Sequence, residues 1–149
     1  MSFKKSKLEH ELSRYALDEI SKMFEDAKLS PDNVDKIIVV DGPGSFTGTR
    51  IGITIAKVYA WAKNIKITTT TSLYAMALSS KFEGIHVPII NARRDFLYAA
   101  IYDKDMKELL KPQHIEKEKL YKDYSDALKK YALENNMKYK EKKDRKNVV

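Results

Sequence analysis

The sequence predicts an α/β sandwich built on a mixed sheet, and three observations predict it. Segments of helical period alternate with short β-branched or apolar runs along most of the 149 residues. A compact apolar run, Lys36–Asp41, leads straight into a glycine cluster that opens another helix. Two further strand-like segments, 86–90 and 96–102, follow one another with only a short polar break between them. The resulting order is α-β-α-β-α-β-β-(β)-α.

The elements follow in turn. Leu8, Leu12, Tyr15, Ala16, Met23, Phe24 and Ala27 recur at helical spacing between lysines and glutamates, giving an amphipathic helix over 8–28. Ser30-Pro31 reads as an N-cap followed by proline at the first position of a short turn. The run KIIVVD at 36–41 is continuously apolar, as in a strand buried on both faces. Helical period resumes after Gly44 and continues to Asn64, and Ile65–Thr69 is a β-branched strand. Ser72 is expected to cap a helix to Ser80. Strands are expected at His86–Ile90 and Phe96–Tyr102, a polar turn at Asp103–Met106 and an edge strand at Lys107–Leu110. A last helix runs from Glu116 to Glu134. Residues 1–134 are thus read as one domain, and 135–149 as a lysine-rich, disordered tail.

Composition narrows the function classes. The net charge of +7 comes entirely from residues 1–7 and 138–146, while 8–137 balances 19 bases with 19 acids. A basic nucleic-acid-binding face across the body is therefore not implied. Lysine outnumbers arginine 23 to 5, which argues against bidentate phosphate or base readout. The absence of cysteine excludes disulfides, thiol catalysis and cysteine-ligated metal, and suits a reducing cytoplasm. No apolar run approaches the ~20 residues needed to span a membrane.

Four of the five glycines, Gly42, Gly44, Gly48 and Gly52, fall within eleven residues. The loop Gly42-Pro43-Gly44-Ser45-Phe46-Thr47-Gly48, with Arg50 just beyond, joins a strand to a helix, where backbone amides can cradle an anion. The phosphate signatures fail, however. The chain holds no Gly-Lys pair for a P-loop, and Thr47 stands at the sixth position of a dinucleotide fingerprint. Pro43 and Thr47 occupy the glycine positions of a nucleophile elbow. A tight turn with a capped helix is the better reading of the loop taken alone.

Gly48, Gly52, Ala56 and Ala60 form a small-residue stripe along that helix, flanked by Ile51, Ile55, Tyr59 and Trp61. Such a stripe admits close approach of another helix. Periodicity alone leaves two readings open, packing within the chain or a subunit interface. His10, His86 and His114 show no metal spacing. Asp41, at a strand end beside the loop, suits capping better than catalysis. Arg93 and Arg94 suit surface ion pairing better than phosphate contact, and the tail suits solvation better than contact with nucleic acid.

At GPGSFTGTRIGITIAK, residues 42–57, the chain resembles the bacterial TsaB (YeaZ) family, the glycoprotease-like (Gcp-like) subunits of the tRNA threonylcarbamoyladenosine machinery. The likeness continues through His10, KIIVVD, the Ser72 helix and Pro88-Ile-Ile-Asn-Ala-Arg93-Arg94 to Tyr98, so that it covers roughly residues 8–105. The resemblance implies an actin-like, sugar-kinase-like (ASKHA) fold and a non-catalytic activator. Such a subunit pairs with itself or with the catalytic TsaD subunit, while the ATPase TsaE completes the assembly. It also implies a pairing surface on the first helix and the helix after the glycine loop, placing Leu12, Tyr15, Gly48, Gly52, Ile55, Ala56, Tyr59 and Ala60 at the interface. ATP and metal would belong to the partner subunits, and tRNA would be met indirectly. The metal-binding His-x-x-x-His of the catalytic paralog is matched here by Ser72 and Met76, neither a hard-metal ligand. Family members usually open with a three-stranded stretch, which this sequence lacks, so an uncovered sheet edge is expected. A small nucleotide-binding or hydrolytic enzyme of the actin-like superfamily is the alternative.

Overall fold

The computed structural model describes residues 12–81 and 83–135, with side chains from Tyr15 onward. The start of the first helix at 8–11, His10 and the tail from residue 136 lie outside the described residues. The chain divides into two compact units, residues 1–75 and 76–149.

In the first unit, α1 spans Leu12–Ala27 and half-buries Tyr15, Ala16, Ile20 and Phe24 on one face. It ends in a Schellman motif. Lys28 takes the left-handed position at φ 53°, and the amides of Lys28 and Leu29 bond back to the carbonyls of Glu25 and Phe24, both at 3.0 Å. Ser30 then caps a 3-10 turn, Pro31–Asn33, in a capping box, as its sequence predicts.

Strand β1, Lys36–Val40, pairs in parallel with β2, Lys66–Thr70, in the register Lys36↔Lys66 to Val40↔Thr70. A parallel pair needs a long crossover, and helix α2, Phe46–Lys63, supplies it. The Ser45 hydroxyl accepts from the Gly48 amide at 3.3 Å at the helix start, and Asn64 in the left-handed conformation closes its end. The expectation of a buried strand at 36–41 is corrected. Exposure alternates along β1, Ile38 being 64% exposed, because successive side chains point to opposite faces and α2 packs against one of them.

Helix α3, Ser72–Leu78, is capped differently from the expectation. Thr71 accepts from the Tyr74 amide at 3.0 Å, while Ser72 lies inside the helix and donates its amide to the Gly42 carbonyl at 2.8 Å.

The second unit is antiparallel. Strand β4, Phe96–Tyr102, sits between β3, Ile89–Asn91, and β5, Glu108–Glu116. Of the strand expected at 86–90, His86 makes only an isolated bridge with Tyr102. The edge strand expected at 107–110 instead runs on to Glu116 through Pro112, which an edge strand tolerates. Parallel and antiparallel pairings thus occupy separate sheets. Helix α4, Lys117–Glu134, packs on β5 and β4, where Ala99, Ile115 and Leu120 form a core with Leu97 and Leu110 around it.

Candidate partner-binding groove

The sheet of the first unit positions two features side by side, the glycine loop and an apolar groove. The loop leaves β1 at Asp41, whose amide donates to the Thr70 carbonyl at 3.0 Å. The Asp41 side chain is exposed. Gly42 has φ 120°, a conformation that favours glycine, and the Gly42-Pro43 peptide is cis. At Gly44 an added methyl would make only ordinary contact, 3.8 Å from the Thr49 hydroxyl.

One of the free amides at the start of α2 is engaged, that of Gly48 by the Ser45 hydroxyl, and the Thr49 amide makes the first helical bond, to the Ser45 carbonyl at 2.8 Å. Ser45 thus caps the helix and takes one of the amides that an anion would use. Arg50 is turned onto a side chain of the loop itself. Its guanidinium lies 3.8 Å from the centre of the exposed Phe46 ring.

The groove is larger and of different chemistry. It encloses about 640 Å3 between α1, β1 and α2 and is lined almost wholly by apolar atoms. Tyr15, Gly52, Ile55, Ala56 and Tyr59, all assigned to the interface from the sequence, lie on its wall. Two of the remaining three are placed elsewhere, and the Leu12 side chain lies outside the described residues. Ala60 is buried, Gly48 is half-buried in the first turn of α2, and Leu12 stands in the first turn of α1.

The small-residue stripe is consequently divided. Ala56 and Ala60 are buried, whereas a methyl added at Gly52 would meet nothing within 4 Å. Tyr59 fixes the far end: its hydroxyl donates to the Pro31 carbonyl at 2.6 Å, and its ring lies parallel to Phe24 at 6.5 Å. Lys63, one turn on, pairs with Asp32 of the same 3-10 turn, holding the Asp32 carboxyl below its usual value.

Sequence reasoning missed the β1 contribution, Val34 and Ile37–Val39, as well as Ile20. The signal was present. A continuously apolar strand belongs inside a sheet, and at an edge it must leave apolar surface open.

Elsewhere, Asp95 pairs with Lys117 at 3.2 Å. All three turn residues, Arg93, Arg94 and Asp95, have positive φ, which no sequence feature announced. His114 stacks on Phe96 at 4.6 Å. Among the described residues no cluster of histidines and carboxylates could hold a metal, and no helix is long and apolar enough to cross a membrane.

Comparison with known proteins bears on this site. The family described as TsaD, tRNA N6-adenosine threonylcarbamoyltransferase, matches residues 7–148. The tRNA threonylcarbamoyladenosine biosynthesis protein TsaB of Bacillus subtilis (strain 168) is 39% identical over 88 residues, covering 58% of this chain and 38% of that protein. A tRNA N6-adenosine threonylcarbamoyltransferase of Desulforapulum autotrophicum is 37% identical over 46 residues, 31% of this chain and 14% of that one. Among solved structures, YeaZ from Pseudomonas aeruginosa superposes with a TM-score of 0.60 at 23% identity, covering 70% of this chain and 51% of that one. The chain thus spans well under two thirds of the relatives it matches.

Proposed function

Because this chain belongs to the TsaB (YeaZ) family, whose TsaD-type domain it carries on an actin-like fold, we propose that it acts in tRNA threonylcarbamoyl modification as a non-catalytic, partner-binding subunit. It pairs with a TsaD-like catalytic subunit in the cytoplasm, and forms a homodimer when alone. A TsaE-like ATPase joins the assembly, ATP and metal are held by the partners, and tRNA is contacted through them.

One observation carries the reading, the apolar groove with Gly52 open on its wall. Soluble proteins seldom leave so continuous an apolar concavity uncovered. Its lining offers area for a protein surface and few groups with which to do chemistry. The glycine loop agrees, since its geometry is spent on capping α2.

Gly52→Arg is the decisive variant. The side chain enters open space, so the fold is retained, while association with a TsaD-like partner weakens about tenfold or more. Ala56→Leu is less clean, because Ala56 is buried and overpacking there costs about 1–3 kcal/mol within the unit itself. Light scattering on mixtures with the partner reads the outcome. Gly52→Arg pairing like the parent, or ATP turnover by the isolated chain, would sink the proposal and favour the small-enzyme alternative.

A further inference from the structure

The turn between β3 and β4 displays two side chains that its own conformation disfavours. Arg93, Arg94 and Asp95 stand one after another in the left-handed region, at φ 67°, 49° and 63°. Glycine or asparagine suits that region, whereas longer L side chains are strained in it. The backbone holds the turn. The Arg93 amide donates to the Asn91 side chain at 2.8 Å, the Phe96 amide to the Arg93 carbonyl and the Lys117 amide to the Asp95 carbonyl, both at 3.0 Å. Asp95 is also paired with the Lys117 amine. Arg93 and Arg94 are exposed, and neither guanidinium has an ion pair or hydrogen bond among the described residues. Local strain of this kind marks positions kept for something other than stability.

A strip of rings begins where the turn ends. The register Phe96↔Glu116 and Tyr98↔His114 puts Phe96, Tyr98 and His114 on one face of the sheet, opposite the core of Ala99 and Ile115. The His114 ring lies parallel to Phe96 at 4.6 Å and tilted against Tyr98 at 5.0 Å, and both His114 and Tyr98 are exposed. Glu116, opposite Phe96, brings a carboxylate to this end of the hairpin. Arg93, Arg94 and Lys117 outweigh it and Asp95, so the end is positive. Guanidinium groups take phosphates, and rings in a row take unpaired bases. An acidic peptide would use the arginines and leave the rings idle. We infer that this hairpin binds single-stranded nucleic acid, with Arg93 and Arg94 on backbone phosphates and Phe96, His114 and Tyr98 stacking against bases. The partner-binding reading gives this chain no nucleic-acid contact of its own, and the inference goes beyond it.

The test uses the full chain and a short fluorescein-labelled oligothymidylate, read by anisotropy at low salt. Saturable binding is expected. An abasic strand of the same length and charge binds about fivefold more weakly or worse, because stacking is lost while the phosphates remain. The double variant Arg93→Gly, Arg94→Gly binds oligothymidylate about tenfold more weakly, and its salt slope falls by about 1.4 for two lost phosphate contacts. That variant also unfolds at a higher urea midpoint than the parent, since glycine relieves the left-handed strain. Tyr98→Ala, checked for retained circular dichroism, weakens binding of oligothymidylate and leaves that of the abasic strand unchanged.

Equal binding of the abasic strand overturns the inference, because charge alone, the lysine-rich residues 138–146 included, then accounts for the contact. Unchanged affinity and salt slope in the double variant overturn it as well. A urea midpoint below the parent's would give the arginines a structural role in the turn, and the inference would fail with it. No TsaD-like protein enters this assay, so its failure is distinct from a failure of Gly52→Arg to disturb pairing.

Discussion

In the first unit the apolar strand Lys36–Val40 leaves Ile38 64% exposed, whereas in the second the strand Phe96–Tyr102 buries Ala99, Ala100, Ile101 and Tyr102 completely. The two strands are similarly apolar. Their neighbours differ: β4 has a strand on each edge and α4 packed against it, while β1 has β2 on one edge alone and α2 packed against it. Burial of a strand is therefore set by how many elements close around it, and its own hydropathy only states what it requires. The first unit is the half whose requirement is left open.

The largest effect should come from the closed half. Ile115 belongs to the core of Ala99 and Leu120, and Ile115→Ala is expected to cost about 2–5 kcal/mol, read as a shift in the urea midpoint. Next comes Ser45→Ala, which removes the acceptor of the Gly48 amide and should cost about 0.5–2 kcal/mol, since α2 is the only crossover joining β1 to β2. Ile38→Ala on the open strand should change stability by no more than about 0.5 kcal/mol. Should Ile38→Ala cost as much as Ile115→Ala, β1 is covered in solution and the contrast fails.

Much of this was legible in the sequence. The helix after Gly44 ends at Asn64 as its period required, because Ser45 and Asn64 are local signals that need no tertiary help. Strand β4 matches its β-branched and aromatic run at both ends, and Ser30-Pro31 forms the capped turn it spells. What failed depended on partners distant in sequence. His86 reads as the start of a strand yet makes only an isolated bridge, and β5 passes through Pro112 because its outer edge needs no ladder bond.

The site was half legible for the same reason. The family resemblance put Tyr15, Gly52, Ile55, Ala56 and Tyr59 together on two helices, whose facing sides line the groove, while the share of Ile37–Val39 depends on what packs around β1. The burial of Ala60, too, is decided by packing and not by spacing.

The smallest effect lies where α2 meets the 3-10 turn at the end of the groove. Lys63 pairs there with Asp32, both exposed, and Tyr59 anchors the same turn through the Pro31 carbonyl. The hydrogen bond from Lys63, then its charge, lower the Asp32 carboxyl below 3.8, and the same contacts raise the Lys63 amine above 10.5. Signs follow from the two directions. The Asp32 contribution is present above the ordinary carboxylate value and fades as pH falls through the lowered folded one. The Lys63 contribution is present below the ordinary amine value and fades as pH rises through the raised folded one. Lys63→Gln should therefore be slightly less stable than the parent across the neutral range. The gap should close in acid below the carboxylate range and shrink in salt, which screens exposed charges beyond about 10 Å at 0.1 M. Urea midpoints of parent and variant, compared at neutral and acid pH, read the difference directly. A gap that ignores both pH and salt would place the role of Lys63 in the packing of its stem against the turn. The end of the groove would then be closed by Tyr59 and apolar contact alone.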